Sequence, residues 1–183
     1  MIEPEPFVIL VADRDATVGV IASMLLSSAL STELTSIKAR VRVLVDPEFI
    51  TVVEESELPE EVRKIEEQAM SATRADAERA KLVVAFSGID VQKLNELRAQ
   101  GVAAPAVNLC QFVDNLEELT RNSSSTQIDA REAIVGAALQ FGFGGGSSTC
   151  DKCEAQEREN VNYWVGIADT CARFAHTVQK LQS

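Results

Sequence analysis

The sequence predicts an α/β fold, a three-layer sandwich whose parallel four-stranded sheet carries helices on both faces. Three observations lead there. Short apolar runs of strand length alternate along the chain with longer stretches of helical periodicity. The runs Phe7–Ala12 and Leu82–Phe86 are continuously apolar, as strands covered on both faces are. The 183 residues, 46% hydrophobic and 25% charged, can hold one sizeable core and have an ordinary globular composition. A single domain over residues 1–183 is therefore expected.

Phe7–Ala12 is the first strand. Asp13, Arg14, Asp15 and Thr17 follow it. Val18, Ile21, Met24, Leu25 and Ala29 then recur at helical spacing, which predicts an amphipathic helix over 16–30. Val41, Val43 and Val45 alternate with Arg42 and Leu44 as a second strand, stopped by Asp46-Pro47. Glu54–Glu61 is acidic and reads as a surface connection. Pro59 opens a helical stretch to Ala80, with Leu58, Val62, Ile65 and Ala69 on one face. Leu82–Phe86 is the third strand, ended by Ser87-Gly88. Asp90 is placed to cap a helix through Val91, Leu94 and Leu97 that Gly101 closes. Ala106–Leu109 is the fourth strand.

Residues 111–121 read as helical, Asn122–Thr126 as a polar linker, 128–141 as another helix, and Gly142–Ser148 as a glycine-rich loop. Flexibility is expected within 122–149. In the last helix Val161, Trp164, Ala168, Cys171, Ala175 and Val178 follow a 3–4 spacing, with Ile167, Phe174 and Leu181 beside them.

Charge and cysteine usage narrow the function classes. With 28 acidic and 17 basic residues the net charge is −11, which opposes binding to nucleic acid or an anionic membrane. The longest apolar run, Phe7–Ala12, is too short to span a bilayer, and the N-terminus lacks the basic residues of a secretory signal. A cytoplasmic location follows as the expectation. Of the four cysteines, Cys110 and Cys171 fall on apolar stretches and read as small core residues. Cys150 and Cys153 form a CxxC, but no second ligand pair of similar spacing accompanies them, so no metal or cofactor is expected. His176, the only histidine, reads as a solvent-edge residue of the last helix.

In parallel sheets ligands bind beyond the carboxyl ends of the strands, which points to the loop after the first strand. From Val11 through that loop to Leu26, the stretch resembles the low-molecular-weight protein tyrosine phosphatase family, in which the first strand enters a Cys-x5-Arg-Ser loop and then a helix rich in small residues and leucine. Ala22, Leu25 and Leu26 fit that helix. Ala75–Phe86 resembles the family's acidic helix end and next core strand, Val107–Phe112 the following strand and turn, and the helix from Val161 the closing helix. The resemblance covers nearly the whole chain. It rests on element order and apolar spacing.

The signature residues are absent. The nucleophile position falls on Ala12 and the phosphate-gripping arginine position on Val18, so the loop Ala12, Asp13, Arg14, Asp15, Ala16, Thr17, Val18 is a degenerate one. Asp13 and Asp15 are expected to flank the place of a phosphate and to oppose anion binding. Arg14 is expected to pair with its acidic neighbours. The family's general-acid aspartate has its nearest counterpart in Asp151, a relic because Lys152 and Cys153 replace the proline and aromatic that follow it there.

The resemblance thus implies a catalytically inactive, phosphatase-like domain that binds a protein partner or small ligand, in a regulatory role, with homo-oligomer formation open. The alternative is an active enzyme with a relocated site built on Asp13, Asp15 or the CxxC, since an acidic pair can hold a divalent cation. A receiver-domain reading of the same acidic pair ranks below both, because the third strand ends without an aspartate. The glycine loop lacks the Gly-Lys-Ser/Thr of a nucleotide-binding loop.

Overall fold

A computed structural model describes residues 6–32, 37–44, 72, 74–122, 129–141, 148–149 and 161–181. Strand β1 (Phe7–Val11) is buried along its whole length, and the sheet extends to either side of it. β1 pairs in parallel with β2 (Ala39–Val43) and with β3 (Ala80–Ala85), and β3 pairs in parallel with β5 (Ala106–Asn108). The order is β2-β1-β3-β5. The β1–β3 register slips once: Val8 faces Ala80 and Ile9 faces Leu82, so Lys81 is the extra, exposed residue of a bulge.

Among the described residues, five helices and a short sixth flank or connect these strands. α1 (Ala16–Thr32) lies between β1 and β2, and α2 (Arg74–Arg79) leads directly into β3. The two-residue strand β4 (Gly88–Ile89) and α3 (Val91–Ala99) separate β3 from β5. α4 (Leu109–Asn122), α5 (Ala130–Phe141), the two-residue strand β6 (Ser148–Thr149) and α6 (Val161–Leu181) complete the order.

Strand alternation divides the core in two. Phe7, Ile9 and Val11 of β1 face one layer, where α1, α4, α5 and α6 pack around Phe112, Ile134, Ile167 and Phe174. Val8, Leu10 and Ala12 face the other, with Ala77 of α2 and Leu94 and Leu97 of α3. Both faces of the central strands are covered, which is why their sequences are apolar without alternation. The predicted α/β class and its four-stranded parallel sheet are thus present.

Polar contacts pin the layers. Asp76 of α2 is buried and accepts a hydrogen bond from Arg40 Nε of β2 at 2.8 Å. Arg173 of α6 reaches Asp114 and Glu117 of α4, each at 2.8 Å. The hydrogen bond from Arg173 holds the Glu117 carboxyl below its ordinary range. The pair is part-exposed, so it contributes no more than about 1 kcal/mol. α3 closes as expected: Gly101 at φ 90° donates to Arg98 O, and Val102 N donates to Leu97 O, both at 3.1 Å. Asp90 sits at the N-cap position with extended backbone, but its side chain makes no capping hydrogen bond.

Several sequence expectations need correction. α1 buries Val18, Ala22, Leu26 and Leu30, whereas Met24 is 58% exposed and Ile21 37%. The seventeen residues of α1 include no charge, so apolar spacing alone does not choose its inner face. α6 buries Ile167, Cys171, Phe174, Ala175 and Val178 as expected, but turns Val161 outward (73% exposed) and buries Tyr163. Ala80 belongs to β3 and not to the preceding helix, which stops at Arg79 because Ala80 pairs with Val8. Within the glycine-loop region, Ser148 pairs with Ile89 and Thr149 with Gly88 in an antiparallel ladder of two residues, too short for any periodicity to announce. The helical stretch expected from Pro59 lies mostly outside the described residues.

Replacing Phe174, fully buried, by Ala should cost about 3–5 kcal/mol in urea unfolding. Val165→Ala on the outer side of the same helix should change stability by less than about 0.5 kcal/mol. Equal losses at the two positions would contradict the packed face assigned to α6.

Candidate functional site

The strand order places a switch point between β1 and β3. From β1 the chain turns onto one face through α1, and from β3 it turns onto the other through α3. In open parallel sheets the crevice between two such diverging loops is where ligands bind. Here that crevice is bordered by residues 12–15, leaving β1, and by Phe86 and Ser87, leaving β3.

Ala12 and Val18, at the two positions where the resemblance places the nucleophile and the arginine, are both 0% exposed. Ala12 packs with Leu10 and Val83 on the α3 side, and Val18 with Ile9 and Ala22 on the α1 side. Neither offers a polar atom. Asp15 caps α1: its Oδ1 accepts from Thr17 N at 3.0 Å and from Val18 N at 3.3 Å. Its carboxylate also lies where the helix dipole favours negative charge. Ala16 begins the helix that this cap starts.

Asp13 is the unusual residue. It is 1% exposed, and its carboxylate accepts hydrogen bonds from four donors. Oδ2 takes Phe86 N at 2.7 Å and Ser87 N at 2.9 Å. Oδ1 takes Asp15 N at 2.9 Å and the Ser87 hydroxyl. A buried carboxylate is tolerable only when its lone pairs are satisfied in this way. The main chain around it is held as well. Lys93 Nζ of α3 donates to the Asp13 carbonyl at 2.8 Å, and Arg14 N donates to Gly88 O at 2.7 Å. Arg14 itself projects as an exposed side chain.

The consequence concerns the backbone amides. A strand-to-helix loop binds phosphate by pointing free N–H groups at it. Here Ala12 N donates to Val84 O, Arg14 N to Gly88 O, Asp15 N to Asp13, and Thr17 N and Val18 N to Asp15. These five amides are taken by the protein's own acceptors. The two aspartates therefore do more than flank an anion position: they take three of these amides, and main-chain carbonyls take the other two.

Residues that the sequence did not single out complete the arrangement. Asn108, buried at the end of β5, donates from Nδ2 to Phe86 O at 3.2 Å and accepts from Cys110 N at 3.1 Å. It fixes the β3 exit and the start of α4 together. Ser87-Gly88 was legible only as a strand stop, and Lys93 only as one charge among many on a helix.

Cys110 and Cys171 are buried, as core residues are, and form no disulfide with each other. The Thr170 hydroxyl lies 3.9 Å from the Cys110 sulfur. Burial, with an added contribution from Cys110, pushes the Cys171 thiol up to about 12, which suppresses its thiolate and hence its nucleophilicity. His176 is exposed on α6. Asp151, Cys150 and Cys153 lie outside the described residues. Among the described residues no group of three or more His, Cys, Asp or Glu side chains is placed to hold a metal ion, and no helix is long and apolar enough to cross a membrane. No family model, no curated protein and no solved structure matches the chain.

Asp13→Asn keeps the shape of the side chain but turns an NH2 donor against N–H and O–H donors. It should lower stability by about 2–3 kcal/mol in urea unfolding at pH 7. Asp15→Ala, which removes only a cap, should cost about 1 kcal/mol, with Asp15→Ser largely restoring it. The Cys171 thiol has a folded pKa above its unfolded value of about 8.5, so its contribution to stability is complete below that pH and falls as pH rises toward the folded value. The urea midpoint of the wild type should accordingly drop more between about pH 8.5 and 11 than that of Cys171→Ala. Parallel curves for the two proteins would refute this.

Proposed function

We propose that this chain is a catalytically silent, phosphatase-like domain that works by binding a protein partner or a small ligand, in a regulatory role. One observation supports the reading: in the loop after β1 three amides are taken by the carboxylates of Asp13 and Asp15, while Ala12 and Val18, which the resemblance assigns to the thiol and the guanidinium, are buried. Attack on phosphorus needs a nucleophile and stabilisation of the charge that develops on the equatorial oxygens. The loop supplies neither. A four-stranded parallel sheet with β1 running through a short loop into an uncharged helix is the frame that the family resemblance requires, and this supports the phosphatase-like part of the reading. A protein partner is favoured over a charged small ligand by α1 itself. In a chain of net charge −11 this helix has no charged residue, and it exposes Val20, Ile21 and Met24.

A second reading keeps catalysis but moves it to the CxxC. The pairing of Thr149 with Gly88 supports it, because the chain passes beside the β3 exit one residue before Cys150. Purified protein assayed with para-nitrophenyl phosphate separates the two. The non-catalytic reading expects no turnover above buffer and no change on Asp151→Asn or Cys150→Ser. Turnover that either substitution abolishes would overturn it in favour of the relocated site.

A further inference from the structure

We propose that the Asp13 carboxylate is a resident anion. It fills an oxyanion site built by the amides of Asp15, Phe86 and Ser87 and the Ser87 hydroxyl, and a chain lacking that side chain takes a small monocarboxylate in its place. The inference deepens the reading above and rests on it in one respect, that the crevice is occupied in the wild type.

The geometry is that of a bound ligand. Each carboxylate oxygen receives two donors, three of the four coming from backbone and none from a guanidinium or ammonium group. Phe86 and Ser87 lie more than seventy residues from Asp13 in the chain, so three of the four donors converge through tertiary structure, and only the Asp15 amide is local. They stay in place without Asp13, because Phe86 follows β3 directly and its carbonyl is held by Asn108, and because Gly88 is paired with both Arg14 and Thr149. Asp13→Ala removes three heavy atoms, one carbon and two oxygens. Formate has the same three. Asp13→Gly removes one carbon more, and acetate matches that loss. A tetrahedral phosphate carries four oxygens and exceeds the volume vacated in either variant, so the vacated site selects by size among carboxylates.

The test compares thermal unfolding of wild type, Asp13→Ala and Asp13→Gly in sodium formate, sodium acetate and sodium chloride at equal ionic strength. In chloride the variants should melt about 5–10 °C below wild type. At about 0.2 M, formate should raise the Asp13→Ala melting temperature by several degrees in a saturable manner, acetate should do so better in Asp13→Gly, and the wild type should respond to neither beyond chloride. Formate and acetate acting on the variants no more than on the wild type would overturn the proposal. If a variant is not recovered folded in chloride, it is diluted from urea into each salt. Recovery in the matching carboxylate alone carries the proposal, and failure in all three salts overturns it. Phosphatase turnover by the wild type would sink the non-catalytic reading instead, so the two failures are distinguishable.

Discussion

The Asp13 carboxylate joins the two loops that diverge from the centre of the sheet. It is buried, and a polar group in that place is tolerable only because four donors converge on it. Three of those donors belong to the exit of β3 and one to the loop that starts α1. The contact therefore ties the exits of β1 and β3 to the entry of α1 and fills the space between them. Lys93 and the Arg14 amide add to the same closure from α3 and β4. A ligand entering here would first have to displace an acceptor that is covalently attached and already oriented, an advantage in effective concentration that no free anion has.

This closure separates fold from chemistry. The sheet order, the two apolar layers and the covering helices make the kind of frame that places ligand sites at a switch point. What stands at that point is an internal staple. A carboxylate of the kind that a hydrolase would exclude from a phosphate site, on grounds of like charge, is here the acceptor for these donors. The proposed non-catalytic role follows from that substitution more than from the loss of any single residue, since a missing thiol alone would leave a cradle still able to bind an oxyanion.

Some of this was legible along the chain. The loop at 12–18 could be located because Phe7–Val11 is apolar without alternation, and a strand buried on both faces must end near a covered crevice. At Ala12 and Val18, the positions that the resemblance assigns to a nucleophile and a phosphate-gripping arginine, the apolar residues could be read directly. The function of Asp13 could not. Its donors at Phe86 and Ser87 are distant in sequence, and a lone aspartate after a strand looks alike whether it faces solvent, a metal or a ring of amides. Asp15 was better signposted, being an acidic residue just ahead of an apolar helix, although its capping bonds needed coordinates to establish.

The same limit governs the helices. The four strands of the parallel sheet and the long helices could be located from the sequence alone, because backbone periodicity is a local property that neighbouring side chains report. The sequence also determined the α/β class, since unalternating strands require cover on both sides. Only tertiary structure decided which side of α1 is inside, turning Ala22 and Leu26 inward and Met24 outward, because a helix apolar all round has no preferred face until the sheet supplies one. It likewise decided the β4–β6 pairing and the partners of Asp13, for these depend on where separate parts of the chain meet, and pairs so far apart leave no pattern in either segment alone.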